Sequence, residues 1–275
     1  MRELKFNLAV QTNALLCPNP QEFYSKSYIN EQIVDNFRTL PGIKAGTKLA
    51  NVTFGQVTKA STCNFTAPTE QLDAIDIDVT PTSVMAQICQ FDIEQSFLSL
   101  QMAQGSNGDF SVPSFMNYYW NALAMKALEE RNLRRWQGDI LSVDPNLALV
   151  DGHLKKLNAD VSVIKIAAVA STTANVVAEL TKVYQALPAQ VRVKTNELRM
   201  FVSPNIAANY RIATASQNNT MYITQDLGLT FLGVKMVEDA GLPSNVAVFT
   251  TNYNLIYAFD GMSDVQELKA INLAD

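Results

Sequence analysis

The chain has 275 residues, of which 48% are hydrophobic and 17% charged, with a formal net charge of -5. That length and apolar content suffice for a substantial core in one large or two ordinary domains, and the negative balance argues against a broad basic face that reads nucleic-acid sequence. Cys17, Cys63 and Cys89 lie too far apart for a disulfide scaffold or a zinc site, and no apolar run is long enough to predict a membrane span.

Charged residues fall below the roughly 25% usual in soluble domains, as expected if other copies of the chain cover part of the surface. Residues 1–45 hold short apolar patches broken by Pro18, Pro20, Pro41 and Gly42, with one helical pattern over 28–40. They read as an arm that orders by lying on something else. The first residues do not read as an export signal, because Asn7, Gln11, Thr12 and Asn13 interrupt the apolar stretch.

From Lys48 to Cys89 the pattern has a period of two. Val57, Ala60, Thr62 and Phe65 precede a polar turn at 67–71, and Ile75, Ile77 and Val79 then alternate with Asp76 and Asp78. This predicts a long hairpin, which is marginal in water unless it rests on a partner surface. Residues 91–102 form a second helix-like run, followed by a loop at 105–109.

The strongest signal is the stretch 113–138, which predicts one long helix. Ser111 and Pro113 supply its start, Asp109 lies near its positive end, Gly138 supplies the stop, and Arg131, Arg134 and Arg135 gather at its carbonyl end. Glu130 and Arg134 add an i,i+4 pair. Its first half, with Phe115, Met116, Tyr118, Tyr119, Trp120 and Met125, is apolar around most of the circumference and is expected to be buried. Its charged second half, 129–135, is expected to face a neighbour.

An irregular segment follows, with turns at Asp144-Pro145-Asn146 and Asp151-Gly152. Residues 161–170 read as an apolar strand, and Ser171 to Thr173 as the cap of a helix at 174–187 that Pro188 ends. A strand at 198–203, a helix opened by Ser203-Pro204 and running to about Thr214, and strands at 231–238, 246–250 and 254–259 complete the chain. The class is α+β with mostly antiparallel sheet.

No common catalytic motif is present, neither a phosphate-cradling glycine loop nor a nucleophile elbow nor a paired-histidine metal site. His153 is the only histidine and reads as a turn or packing residue. Asp76 and Asp78 share one strand face and read as the solvent side of the hairpin rather than as metal ligands. Lys155 and Lys156 read as a solvated face. No enzyme activity, cofactor or metal is expected.

The order of parts resembles the major capsid proteins of tailed bacteriophages, the Hong Kong 97-type fold that encapsulin nanocompartments also use. The segments that carry the resemblance are RRWQGD (134–139), LVDGHLKKL (149–157), MFVSPNIAANYRIA (200–213) and FLGVKMVEDAGLPSNVAVFTTNYNLIYAFD (231–260). The resemblance implies an N-terminal arm at 1–45, an extended hairpin loop at 46–90, a peripheral domain at 91–160 with its spine helix at 113–138, and an axial domain at 161–275 from which some chain returns to the peripheral domain. It implies a virion shell protein, assembled in the bacterial cytoplasm into hexamers and pentamers, that encloses double-stranded DNA without sequence-specific contact. Portal and scaffold proteins are the implied partners, and no membrane is involved. Ile75, Ile77 and Val79 on the hairpin, with Glu130, Arg131, Arg134 and Arg135 on the helix, are the expected subunit-contact residues. An encapsulin-type shell is the alternative within the fold; an α+β enzyme with an unrecognised site, for which Asp76, Asp78 and His153 are the candidates, is the alternative outside it.

Overall fold

The run Leu198-Arg199-Met200-Phe201-Val202 is apolar except at one position, a pattern suited to a strand covered on both faces. It forms β4 (Leu198–Val202), in which Leu198, Met200, Phe201 and Val202 are fully buried. The structure is a computed structural model that describes residues 35–43, 46–55, 58, 70–77, 79–85, 112–215 and 229–260. β4 lies between a parallel neighbour, β6 (Val234–Glu238), and an antiparallel one, β7 (Ala247–Thr251). A short strand, β5 (Thr230–Phe231), completes a sheet of order β5-β6-β4-β7.

Alternation along β4 separates two cores. Leu198, Met200 and Val202 join Val176, Leu180, Ile206, Tyr210 and Phe231 in one cluster, built with α3 (Val176–Ala186) and α5 (Pro204–Ala215). Phe201 points the other way, into a second cluster with Phe37, Trp136, Val237, Leu242 and Leu255. Pro204 starts α5 where its missing N–H costs nothing, and Ile206, Ala207, Tyr210 and Ala213 recur at helical spacing along its buried face. In α3 Asn175 occupies the N-cap position, but its side chain turns back to the Thr172 N–H at 2.7 Å and the Ala170 carbonyl at 3.0 Å, so no side chain caps the helix as expected of 171–173. Pro188 ends α3 and begins the single turn α4 (Ala189–Arg192).

The long helix α1 (Val112–Gln137) matches the predicted span to within one residue. The side chains of 112–119 lie outside the described residues, so the expected burial of Phe115 to Tyr119 does too. Beyond them Asn121, Ala122 and Met125 are exposed, and Met125 keeps 65% of its surface open. The burial expected all round the first half therefore does not reach this stretch; a narrower stripe with Ala124 and Ala127 turns inward. A 3-10 turn at Leu147–Leu149 and the short helix α2 (His153–Ala159) follow.

Several expectations change. Residues 38–41 are not helical but form β1 (Arg38–Pro41), parallel to β8 (Ile256–Phe259), and Phe37 is buried in the chain's own core. The described end of the arm thus packs on its own fold, because a large ring finds a pocket there; residues 28–34 lie outside the description. The predicted strand 231–238 is two strands, since Leu232 (φ 48°) and Gly233 (φ 81°) form a tight left-handed turn between β5 and β6. Residues 161–170 join no sheet, and Val161, Ile164 and Val169 are 98%, 57% and 66% exposed. An apolar run specifies a strand only where a neighbour accepts its backbone groups.

The hairpin exists with altered boundaries. β2 (Thr47–Phe54) pairs antiparallel with β3 (Glu70–Ile77), Thr47 opposite Ile77 and Leu49 opposite Ile75. Glu70 and Gln71, expected in the turn, are strand residues. Val57, Ala60, Thr62 and Phe65 lie outside the described residues, as do the run 91–102 and the loop 105–109. The α+β class stands. Among the described residues no helix is long and apolar enough to cross a membrane.

Candidate functional site: the junction of α1 with the sheet

Three segments distant in sequence meet where α1 ends: 134–139, 149–157 and 237–243. Glycine permits the approach. A Cβ on Gly241 would run into the Asn132 carbonyl, one on Gly138 into the Val150 carbonyl, and one on Gly152 would lie 2.6 Å from the Gly138 nitrogen and 2.7 Å from the Trp136 carbonyl oxygen. The Gly152 N–H donates to the Gly138 carbonyl at 2.8 Å and joins the two backbones.

Asp239 is the hub. Its Oδ2 accepts from Arg135 Nη2 at 2.5 Å and from Trp136 Nε1 at 2.8 Å, while Oδ1 accepts the Gly241 N–H at 2.9 Å. Its own N–H donates to the Val202 carbonyl at 3.0 Å, which ties the hub to β4. Gln137 Nε2 donates to the Gly241 carbonyl at 2.7 Å. A buried carboxylate is tolerable when charge-assisted donors surround it, and this one has a guanidinium, an indole and a backbone amide.

Aromatic rings fill the rest. Phe37 lies 5.0 Å from Phe201 and 6.0 Å from Trp136, and the Arg135 guanidinium sits 4.6 Å from the Phe37 ring centre, within cation–π range. His153 packs against both Phe37 and Trp136, in keeping with its reading as a packing residue. Part of its surface stays open to solvent, but most of the residue is packed into the junction; that burial, then the positive charges of Arg135 and Lys156, lower its pKa from 6.5 to about 4, against the opposing pull of Asp239. It is neutral at pH 7.

Beside the junction Lys155 bridges Asp139 at 2.7 Å and Asp151 at 2.6 Å, so it is not the purely solvated lysine expected; Lys156 is exposed. Hydrogen bonds from Lys155 hold the carboxyls of Asp139 and Asp151 below their usual range and hold Lys155 above its own. The same carboxylates accept the Leu141 and Ile140 N–H groups, which fixes the loop after Gly138.

The expected contact residues separate accordingly. Arg135 is a correction: with its side chain 6% exposed and paired to Asp239, it offers no charge to a neighbour, because the last helical turn points its cation at the one buried carboxylate among the described residues. Glu130 is exposed, and Arg131 and Arg134 are partly exposed. Ile75 is 55% exposed, while Ile77 and Val79 are partly buried. On the adjoining face Lys48 pairs with Asp76 at 3.5 Å, both largely in solvent; Asp78 lies outside the described residues. The residues that organise the junction, Phe37, Gln137, Asp239 and Gly241, were not singled out from sequence; the nearest signal was Asp239-Ala240-Gly241, a turn with a carboxylate two residues before glycine. Among the described residues no three acidic, cysteine or histidine side chains gather as metal ligands. The sequence matches no protein-family model and no curated protein.

Proposed function

We propose that the chain is a structural shell subunit, the major capsid protein of a tailed bacteriophage or prophage, which assembles into hexamers and pentamers around double-stranded DNA. The observation that carries this reading is the β2–β3 ribbon. Each strand has eight residues, its contacts with described elements run mainly between its own two strands, and Val52 and Ile75 are 47% and 55% exposed. A two-stranded ribbon of this length is marginal by itself, so its apolar positions are completed by a neighbour. The ribbon lies over an adjacent subunit, and Glu130, Arg131 and Arg134 face another around the capsomer. Further support comes from the junction, where three of the segments that resemble the capsid family meet. Electron microscopy of the purified protein is the test: closed shells or capsomers are expected, and a strictly monomeric species across a wide concentration range overturns the reading.

A further inference from the structure

His153 opens α2 where three separate parts of the fold touch. Its ring stacks on Phe37 at 5.8 Å with the planes 24° apart and meets Trp136 edge-on at 5.6 Å. No hydrogen bond from a described residue reaches either ring nitrogen. The charged groups that face it are Arg135 from α1, Lys156 from α2 itself and Asp239 from the turn after β6; Phe37 and Phe201, from the segment before β1 and from β4, bring none. Two cations thus oppose one carboxylate whose oxygens already accept from Arg135, Trp136 and Gly241. A proton on His153 adds a third positive charge with no free acceptor among the described residues.

The parts around His153 are unequally held. Trp136 belongs to a 26-residue helix and donates to Asp239. Phe37 is held by ring contacts and by β1, four residues long, in a two-stranded sheet with β8. Parallel pairs are the weaker kind and two-stranded sheets the least stable. We propose that His153 is a proton-operated latch on the chain entering β1: when the imidazole gains a proton, Phe37 leaves the ring stack and β1 peels from β8, while the β5-β6-β4-β7 sheet stays closed. This inference is independent of the shell reading, since it concerns contacts within one chain.

The sign follows from linkage. In the closed junction the imidazole has its pKa depressed to about 4, and release restores it toward 6.5, so release is favoured as pH falls through 6.5 and the effect is complete below 4. The test is amide exchange of the full chain, expressed as protection factors. Between pH 7.5 and pH 5 the amides of Arg38 and Gly42, which donate to the Leu255 and Phe259 carbonyls, are expected to lose protection by about 30-fold. Those of β4 stay more strongly protected than those of β1 at both pH values, because they open only with the whole fold, and His153→Phe keeps the protection of β1 unchanged between the two. Protection of β1 equal to that of β4 at pH 5, which would mean that β1 opens only with the whole fold, or an unchanged loss in His153→Phe, overturns the latch. Because the chain has one histidine, its imidazole proton resonance titrates without ambiguity and needs no variant. A midpoint well below 6.5 supports the latch, and one at or above 6.5 overturns it.

Discussion

Arg135 and Asp239 stand 104 positions apart and form an ion pair whose side chains are 6% and 5% exposed. Removing one member of such a pair strands the other. Asp239→Ala leaves the guanidinium, the Trp136 indole and the Gly241 amide without their acceptor, and a loss of about 3–5 kcal/mol in unfolding free energy is expected by urea denaturation. Arg135→Met costs less, because Asp239 still accepts from Trp136 and Gly241. The reverse order would contradict the carboxylate's role as hub.

The junction glycines act by space rather than by backbone conformation. Gly241→Ala and Gly152→Ala force a methyl group against backbone atoms, with an expected cost of roughly 3 kcal/mol or more, at the upper end for overpacking. Gly42→Ala meets nothing within 4 Å but has φ +72°, and costs about 1–2 kcal/mol for the left-handed conformation alone. Thermal melts of the three variants distinguish the two mechanisms.

Lys155 predicts a pH profile unlike that of His153. Asp139 and Asp151 have lowered pKa values, so their contribution is present above 3.8 and lost as pH falls below it; Lys155 has a raised value, so its contribution is present below 10.5 and lost above it. Protection of the Ile140 and Leu141 amides is expected to stay level between these limits. Lys155→Met lowers it throughout while changing global stability little, since the cluster is near the surface. Exchange at those two amides checks both statements.

On the helix, charge reversal separates assembly from folding. Arg131→Glu and Arg134→Glu are expected to lower the thermal midpoint of the unassembled subunit far less than Arg135→Glu does while reducing the yield of shells; Ile75→Lys on the exposed side of the ribbon also reduces it and leaves the midpoint nearly unchanged. Arg135→Glu places a second carboxylate beside Asp239 and unfolds the subunit. Light scattering and melting curves of the four variants give the answer, and equal melting for Arg134→Glu and Arg135→Glu would refute this division.

Local chemistry made much of the fold readable in advance. Pro204, Pro188 and Gly138 mark helix limits by removing a donor or tolerating a close turn, and the structure follows them. The turn at Leu232-Gly233 was hidden because Phe231 to Glu238 is apolar almost without interruption, and one glycine in an apolar run signals a bulge as readily as a hairpin. Residues 161–170 misled in the opposite way, having a strand's composition but no partner. The junction was the least legible part. Arg135 looks like its neighbours Arg131 and Arg134, and what sets it apart is the side of the helix that Asp239 approaches, a fact held in tertiary contacts and absent from spacing.

The anchoring of α1 has a mechanical consequence. Among the described residues, the side-chain hydrogen bonds that tie it to the segment after β6 come from Arg135, Trp136 and Gln137, its last three residues. At 1.5 Å per residue its 26 residues extend about 39 Å. By the geometry of a rod that long, a tilt of about 5° about the Asp239 hub corresponds to about 3 Å at the far end. Small differences in packing at Gly241 and Trp136 are therefore enlarged along α1 by its length alone, which makes the three residues at its end the most sensitive place to alter its direction.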